Sequence, residues 1–214
     1  MGTHSRWVRD GLFEIAAKLD LKDVDMFNFC RNQLQVAYEA VQRSHFLNSK
    51  EENAATRMMQ EHLEEIRQHR VNNAIMGVSA KDPEGRIKIA LRGLNSGKER
   101  ERSDSIEALE ALLDKPLANL LLPMLDNRPE YERLAVGRKR FGLGDLTEQE
   151  FVEGCLNDVS WVTIVMVLEC LAIWVNIDPY REIIEKIARE GFGALGHTAS
   201  HALHSSVEIG RAHV

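Results

Sequence analysis

Two stretches 62 residues apart decide the fold: Leu94-Asn95 followed by Ile106-Glu107-Ala108-Leu109, and Leu156-Asn157 followed by Leu168-Glu169-Cys170-Leu171. In each stretch a short polar elbow closes one amphipathic segment and precedes another. Self-similarity of this kind is typical of stacked helix pairs, which bury their apolar faces against neighbouring units. The repeat therefore predicts an all-α chain of helical hairpins, an architecture that offers a binding surface more often than a reaction site.

Apolar periodicity predicts helices along the rest of the chain, two long ones first and shorter ones after them. The long helices are expected from Asp25, which can cap the first, to Leu47, and from Glu51 to Gly77. The turn sequence Asp82-Pro83-Glu84-Gly85 then separates an N-terminal long-helix region (1–80) from helical repeats (81–207). The shorter helices are expected at Arg86–Leu94, Arg100–Leu113, Pro116–Leu125, Glu130–Phe141, Thr147–Leu156, Trp161–Val175 and Pro179–Glu190.

Local sequence signals predict where several of these helices begin and end. Thr147-Glu148-Gln149-Glu150 is a capping box, in which the Thr hydroxyl and the last Glu carboxylate each accept a hydrogen bond from an otherwise exposed backbone N–H. Gly142 and Gly144 stop the helix that precedes it. Pro116 falls in a first helical turn, where the missing N–H costs nothing.

The composition favours a globular protein of a reducing compartment. The chain is 44% hydrophobic and 28% charged, which is ordinary for a folded domain, and its net charge of −6 creates no attraction for nucleic acid or anionic lipid. Three cysteines, Cys30, Cys155 and Cys170, lie in apolar patterns without metal-site spacing. They are typical of buried, reduced thiols, so we expect a cytoplasmic location.

The longest apolar run, Trp161 to Val175, is too short to span a membrane as a helix. Its fifteen residues at a 1.5 Å rise cover about 22 Å, whereas the hydrocarbon core is about 30 Å thick. Its β-branched opening would also suit a strand, but its length and the helical patterns on both sides favour a buried helix of the repeat.

The later half of the chain resembles HEAT-type helical repeats. The resemblance rests on the paired short helices, the Leu-Asn elbows and the Asp-then-Pro helix entries at Asp114/Pro116 and Asp178/Pro179. Over residues 50–190 it is similar, more narrowly, to the cytosolic HEAT segment of certain bacterial multidomain proteins. Three stretches carry this likeness: Ala90–Gly97, Ser105–Asp114 and Leu120–Leu125.

In that family the segment connects a transporter-like membrane domain to a cyclic-nucleotide-binding domain. The resemblance implies an α-solenoid whose role is to hold a partner protein or to couple adjacent domains of a parent chain. Neither flanking domain is found in this sequence, so it assigns no transport and no nucleotide binding to these residues, and contact with a membrane would be made only through a missing domain.

No arrangement of residues predicts catalysis or a cofactor. No serine lies in a nucleophile elbow, and the one glycine-dense loop with an acidic residue, Gly142-Leu143-Gly144-Asp145, lacks the ending of a phosphate-binding loop. His197, His201 and His204 would share one face of a helix at spacings of four and three, as metal ligands can. No acidic or thiolate ligand accompanies them, so we expect neither an enzyme nor a metal site.

The candidate interaction surface is the basic cluster Arg138-Lys139-Arg140, which lies beside Phe141. Such a cluster can contact phosphate or a lipid head group, but nucleic-acid binding needs a basic stripe that recurs from repeat to repeat. A protein contact or simple solvation is therefore the favoured interpretation.

The last six residues, Ile209 to Val214, resemble the translation of a sequencing adapter. We therefore expect residues 208–214 to be non-native and the natural chain to continue differently beyond about residue 207. For the whole chain we expect a non-catalytic helical-repeat scaffold. The alternatives are the regulatory connector of a transporter-like protein and a helical enzyme subunit or metal protein that uses the terminal histidines.

Overall fold

The computed structural model describes residues 26–82, 84–94, 97–126, 128–174 and 177–212, with side chains as far as residue 205. Within these residues the chain is all-α, with no strand, as the sequence predicts. Its helices are α1 (Met26–Leu47), α2 (Ala54–Ala80), α3 (Arg86–Leu94), α4 (Glu99–Leu112), α5 (Lys115–Leu125), α6 (Glu130–Phe141), α7 (Glu148–Leu156), α8 (Trp161–Ile173), α9 (Arg181–Glu190) and α10 (Ala194–Ala212). A single 3₁₀ turn, Asp178–Tyr180, leads into α9.

The helix bounds agree closely with those predicted from local sequence signals. α3 and α6 begin and end at the predicted residues, and Thr147 forms the predicted capping box with Glu150 at the start of α7. The predicted capping residue Asp25 lies outside the described residues, as do Pro83 and the elbow residues Asn95 and Ser96. The largest addition is α10, which is not among the predicted helices; Gly191, Gly193 and Gly196 lie around its start.

The 62-residue periodicity of the sequence is matched by the helices themselves. α3 and α7 begin and end at positions 62 residues apart, and α4 and α8 begin at the same offset. Buried positions follow the same offset: Ala90 with Val152, Leu109 with Leu171, and Leu122 with Ile184. α3 to α6 and α7 to α10 are therefore two copies of one order of four helices, although their packing differs: α4 packs on α5 in the first copy, whereas α8 packs on α10 in the second.

Contacts divide the chain into two compact units, each containing one copy and parts of the two long helices. The first unit comprises the described residues of Met1–Val41 and Ile66–Leu143. In it α3 packs on α4, α4 on α5 and α5 on α6. Its core contains residues of these short helices and of α1 and α2. The Tyr38 hydroxyl of α1 donates to the Leu120 carbonyl oxygen of α5 at 2.9 Å, and the Cys30 thiol of α1 donates to the Ala74 carbonyl oxygen of α2 at 3.4 Å.

The second unit comprises the described residues of Gln42–Glu65 and Gly144–Val214. Here α7 packs on α8, α9 packs on α10, and α10 also packs on α8. The second helices of two successive hairpins are thus in contact with each other. The division runs through α1 and α2, although α2 itself ends at Ala80, where the sequence places the end of the long-helix region.

Candidate interaction surfaces

α8 is apolar on nearly every side, and only part of its surface is covered. Thr163, Val167, Cys170 and Leu171 are fully buried against the rest of the second unit. The opposite side is half-buried or exposed, and five residues that share this side of the helix form it. This surface, called the α8 face below, consists of Val162, Val165, Met166, Glu169 and Ile173.

Large apolar side chains at both ends extend the α8 face. Trp161, at the start of the helix, is 55% exposed, and Ile173, at its end, is 48% exposed. Val159, in the loop just before the helix, is fully exposed. Exposed apolar side chains that cluster in this way mark contact sites, whereas isolated ones are ordinary.

The internal repeat supplies a control for the α8 face. Each position of the face has a counterpart 62 residues earlier on α4, and every counterpart is exposed. The counterparts are Arg100, Ser103, Asp104, Glu107 and Ala111. Because the equivalent helix of the first repeat carries four polar residues and one alanine there, a helix in this place does not require an apolar surface at these positions.

α8 is held in place by polar contacts on its covered side. The imidazole Nε2 of His62, on α2, shares a hydrogen bond of 3.0 Å with the hydroxyl of Thr163. At the start of the helix the Asp158 carboxylate accepts a hydrogen bond from the Ser160 backbone N–H at 2.9 Å. Arg43 donates from Nη1 to Asp158 at 2.9 Å and from Nη2 to the Gly154 carbonyl oxygen at 3.2 Å. These contacts fix which side of α8 faces outward.

The predicted basic cluster lies in the last turn of α6, in the first unit. Arg138, Lys139 and Arg140 are all exposed, and the helix ends at Gly142, whose φ of 71° is left-handed. Cations at a helix C-terminus interact favourably with the helix dipole, which gives the cluster a structural role as well. The guanidinium of Arg31 lies 5.4 Å from the centroid of the neighbouring Phe141 ring. Its role as an interaction surface stays a prediction.

The three terminal histidines lie on α10, and all are exposed. His204 Nδ1 is 2.6 Å from the Ser200 carbonyl oxygen, to which it donates, and the Ser205 hydroxyl approaches His201 Nε2 at 3.4 Å. Among the described residues no group of three or more His, Cys, Asp or Glu side chains is arranged to hold a metal ion.

Burial makes the three cysteines poor nucleophiles. All three side chains are fully buried, and burial raises the pKa of Cys30 to about 11 and those of Cys155 and Cys170 to about 12. Because the thiolate is the nucleophile, such thiols are poor catalysts.

The second unit thus offers one surface that sequence reasoning missed, since an apolar run read alone predicts burial on all sides. Comparing the two repeats position by position would have revealed it. No described helix is long and apolar enough to cross a membrane. No protein-family model, curated protein or solved structure matches this chain.

Proposed function

We propose that the chain is a non-catalytic helical-repeat scaffold, an α-solenoid of HEAT type, that binds a partner protein through the α8 face. The repeated order of the helices supports the solenoid, and so does the packing of α8 on α10 in the second unit, because successive hairpins of a solenoid stack through equivalent helices. The observation that carries the binding role is the contrast between the apolar α8 face and its polar counterpart on α4.

The composition of the α8 face defines the partner. A stripe of apolar side chains along one helix accommodates the apolar side of a second helix, the helix-in-groove mode of recognition. Glu169 is the single charged residue of the face. We therefore expect an amphipathic helix that places a Lys or Arg opposite Glu169 and apolar residues on both sides of it.

Binding of this kind would gain from burial of surface that is now in water. Each half-exposed Val, Met or Ile that becomes covered contributes about 1 kcal/mol. The four apolar positions together give an affinity in the range of regulated contacts rather than of permanent assembly. Reversible recruitment suits a scaffold.

The repeat provides the variant that tests this proposal. Val162→Arg, Val165→Ser, Met166→Asp and Ile173→Ala together give α8 the residues that α4 carries at the equivalent positions. Because α4 folds with these residues exposed, this repeat-swap variant should keep its helical circular dichroism and a cooperative thermal transition. The matched control exchanges exposed residues of α4 itself, Ser103→Thr and Ala111→Ser.

The partner is captured with a photoreactive amino acid at position 166, and at position 104 of α4 as the control. A supporting result has three parts: a cross-link at 166 that is absent at 104, a cross-linked peptide with apolar residues at helical spacing and a central Lys or Arg, and binding of that synthetic peptide to the wild-type chain. The repeat-swap variant should bind this peptide at least tenfold more weakly. Equal cross-linking at both positions, or a cross-linked peptide without that pattern, contradicts the proposal.

A further inference from the structure

Lys50, in the loop between α1 and α2, contacts three side chains of the second unit, which come from α1, from the start of α7 and from the residue after α8. Its ammonium nitrogen lies 5.1 Å from the centroid of the Phe46 ring and 5.0 Å from that of the Trp174 ring. It also forms an ion pair with the carboxylate of Glu148. Both ring distances fall within the roughly 6 Å range of cation–π attraction. One ammonium group is thus enclosed by two aromatic faces and a negative charge.

The aromatic side chains are positioned by one another and not only by Lys50. The Phe46 ring stacks on that of Phe151, with centroids 4.6 Å apart, and Phe151 is fully buried. The Trp174 ring lies 6.5 Å from the Phe46 ring and 6.1 Å from the Phe151 ring. These contacts would hold the enclosure in shape if the lysine side chain were elsewhere.

The enclosure opens to solvent and is specific to the second repeat. The side chain of Lys50 is 24% exposed and that of Glu148 is 42% exposed, so water reaches the ammonium site. The positions of the first repeat that match Glu148, Phe151 and Trp174 hold Arg86, Ile89 and Leu112, which cannot enclose a cation. The helical arrangement therefore does not demand this group of residues.

We infer that Phe46, Trp174 and Glu148 form a binding cage for a quaternary ammonium group, filled in the structure by Lys50 and open to a trimethylammonium ligand when Lys50 withdraws into water. A trimethylammonium group suits such a cage better than a primary ammonium does. It is weakly hydrated and bears its charge on methyl groups that contact ring faces, the mode of recognition of choline and methylated lysine. A primary ammonium is strongly hydrated, so Lys50 loses little when it returns to solvent.

The cage shares no residue with the α8 face, and its test uses tetramethylammonium chloride as the probe. The indole N–H of Trp174, assigned in an ¹H–¹⁵N spectrum through Trp174→Phe, reports on binding. Lys50→Ala removes the internal competitor, so we expect a saturable shift of this signal at an affinity at least about fivefold tighter than in the wild type. Sodium chloride at the same ionic strength should not reproduce the shift. Lys98→Ala, which breaks an exposed lysine ion pair with Glu101 that involves no aromatic ring, should behave as the wild type.

Two further variants identify the site of binding. In the Lys50→Ala background, Phe46→Leu removes one ring face and Glu148→Gln removes the carboxylate. Each should weaken tetramethylammonium binding by about fivefold or more while the circular dichroism stays helical. Choline and a peptide that contains one trimethyllysine then distinguish the source of the ligand. Tighter binding of the peptide indicates a methylated protein, and tighter binding of choline indicates a small molecule.

The inference is overturned if folded Lys50→Ala gives no saturable shift at Trp174, or if Phe46→Leu and Glu148→Gln leave the affinity unchanged. Should Lys50→Ala not fold, Lys50→Ser replaces it under the same criteria. Should neither fold, the wild-type titration decides: a saturable Trp174 shift below about 100 mM probe supports the cage, and its absence overturns it. Failure of the cage leaves the peptide binding proposed for the α8 face intact, so the two results are separable.

Discussion

Gly93 of α3 lies directly against Ser105 of α4, so close that a Cβ atom on Gly93 would be 2.0 Å from the Ser105 hydroxyl oxygen. That hydroxyl donates a hydrogen bond of 2.6 Å to the Glu101 carbonyl oxygen, and Ser105 is buried. The two helices of the first hairpin thus approach each other at a pair of small residues. Their separation depends on the absence of a side chain at position 93.

Gly93→Ala should destabilise the first unit by about 1–3 kcal/mol, since overpacking at this contact outweighs the better helix propensity of Ala. The free energy of unfolding from urea denaturation measures the effect. Gly144→Ala is the matched control, because nothing lies within 4 Å of a Cβ atom there and the change should be nearly neutral.

Ser105→Ala should rescue Gly93→Ala in part. It removes the oxygen at 2.0 Å and leaves only the Ser105 Cβ position, 3.4 Å from the new methyl group, and the Glu101 carbonyl oxygen at 3.2 Å. The double variant should therefore be more stable than the sum of the two single changes predicts. Strict additivity would show that the two helices move apart instead, which would contradict the close contact.

His62 should make the stability of the chain depend on pH. Burial lowers the pKa of His62 below its ordinary 6.5, against the opposing influence of Glu65 and Asp158. The unfolded chain therefore binds a proton at His62 at a higher pH than the folded chain does. Above about pH 7, protonation of His62 should not change the free energy of unfolding. Below pH 6.5 the free energy of unfolding should fall as the pH drops, because the unfolded chain takes up the proton first.

His62→Gln should flatten this part of the profile, because Gln can hydrogen-bond to Thr163 and carries no proton in this range. Urea denaturation at pH 7.5 and at pH 5.5 gives the comparison, with His197→Gln on the exposed side of α10 as the control. If the two variants lose the same stability between these pH values as the wild type, His62 is not the group responsible.

Sequence signals predicted the helices because short-range chemistry sets them. The capping box at Thr147 and the left-handed Gly142 act within four residues of themselves, so the pattern alone locates those helix ends. The start of α10 was not predicted, because it depends on a close backbone contact between Gly191 and Gly196. A Cβ atom on Gly196 would be 2.5 Å from the Gly191 carbonyl oxygen. Glycines read as helix breakers here allow a tight turn between two helices.

The candidate sites could not be predicted in the same way, because they join residues far apart in the chain. Lys50 meets Glu148 across 98 residues, and the capping box in which Glu148 lies predicts nothing about this contact. The α8 face raises a different difficulty. A helix that is apolar all round gives no periodicity from which to tell its covered side from its outward side. Tertiary contacts such as His62 with Thr163 resolve this, as does comparison with the equivalent positions of α4.

The cysteines should react with a thiol reagent only when the protein opens. At pH 8 a pKa of about 11 for Cys30 leaves on the order of one thiolate in a thousand, and the thiols of Cys155 and Cys170 ionise still less. Labelling with a disulfide reagent should be at least about a hundredfold slower in the native protein than in urea, where three thiols react. Rapid labelling of any cysteine in the folded chain would contradict its burial.

Arg43 should contribute more to stability than the other charged residues of the second unit, because its guanidinium donates hydrogen bonds to both the Asp158 carboxylate and the Gly154 carbonyl oxygen. Both side chains of the ion pair are only 20% exposed, and Asp158 also accepts a hydrogen bond from the backbone N–H of Ser160, just before α8. Arg43→Met leaves this carboxylate without its cation, so it should lower the free energy of unfolding by about 1.5–3 kcal/mol. Arg43→Lys should cost less, since it keeps the charge and loses one of the two hydrogen bonds.

Arg57→Met provides the control for Arg43→Met. Arg57 pairs with Glu52 at 3.5 Å, but both side chains are mostly exposed, so the change should cost less than about 0.5 kcal/mol. The double variant Arg43→Met, Asp158→Asn removes the unpaired charge together with its partner. It should therefore be more stable than the two single losses added together, as guanidinium chloride denaturation measures. Equal losses for Arg43→Met and Arg57→Met would show that the Asp158 carboxylate gains nothing from its partly buried partner, and that α8 is held by packing alone.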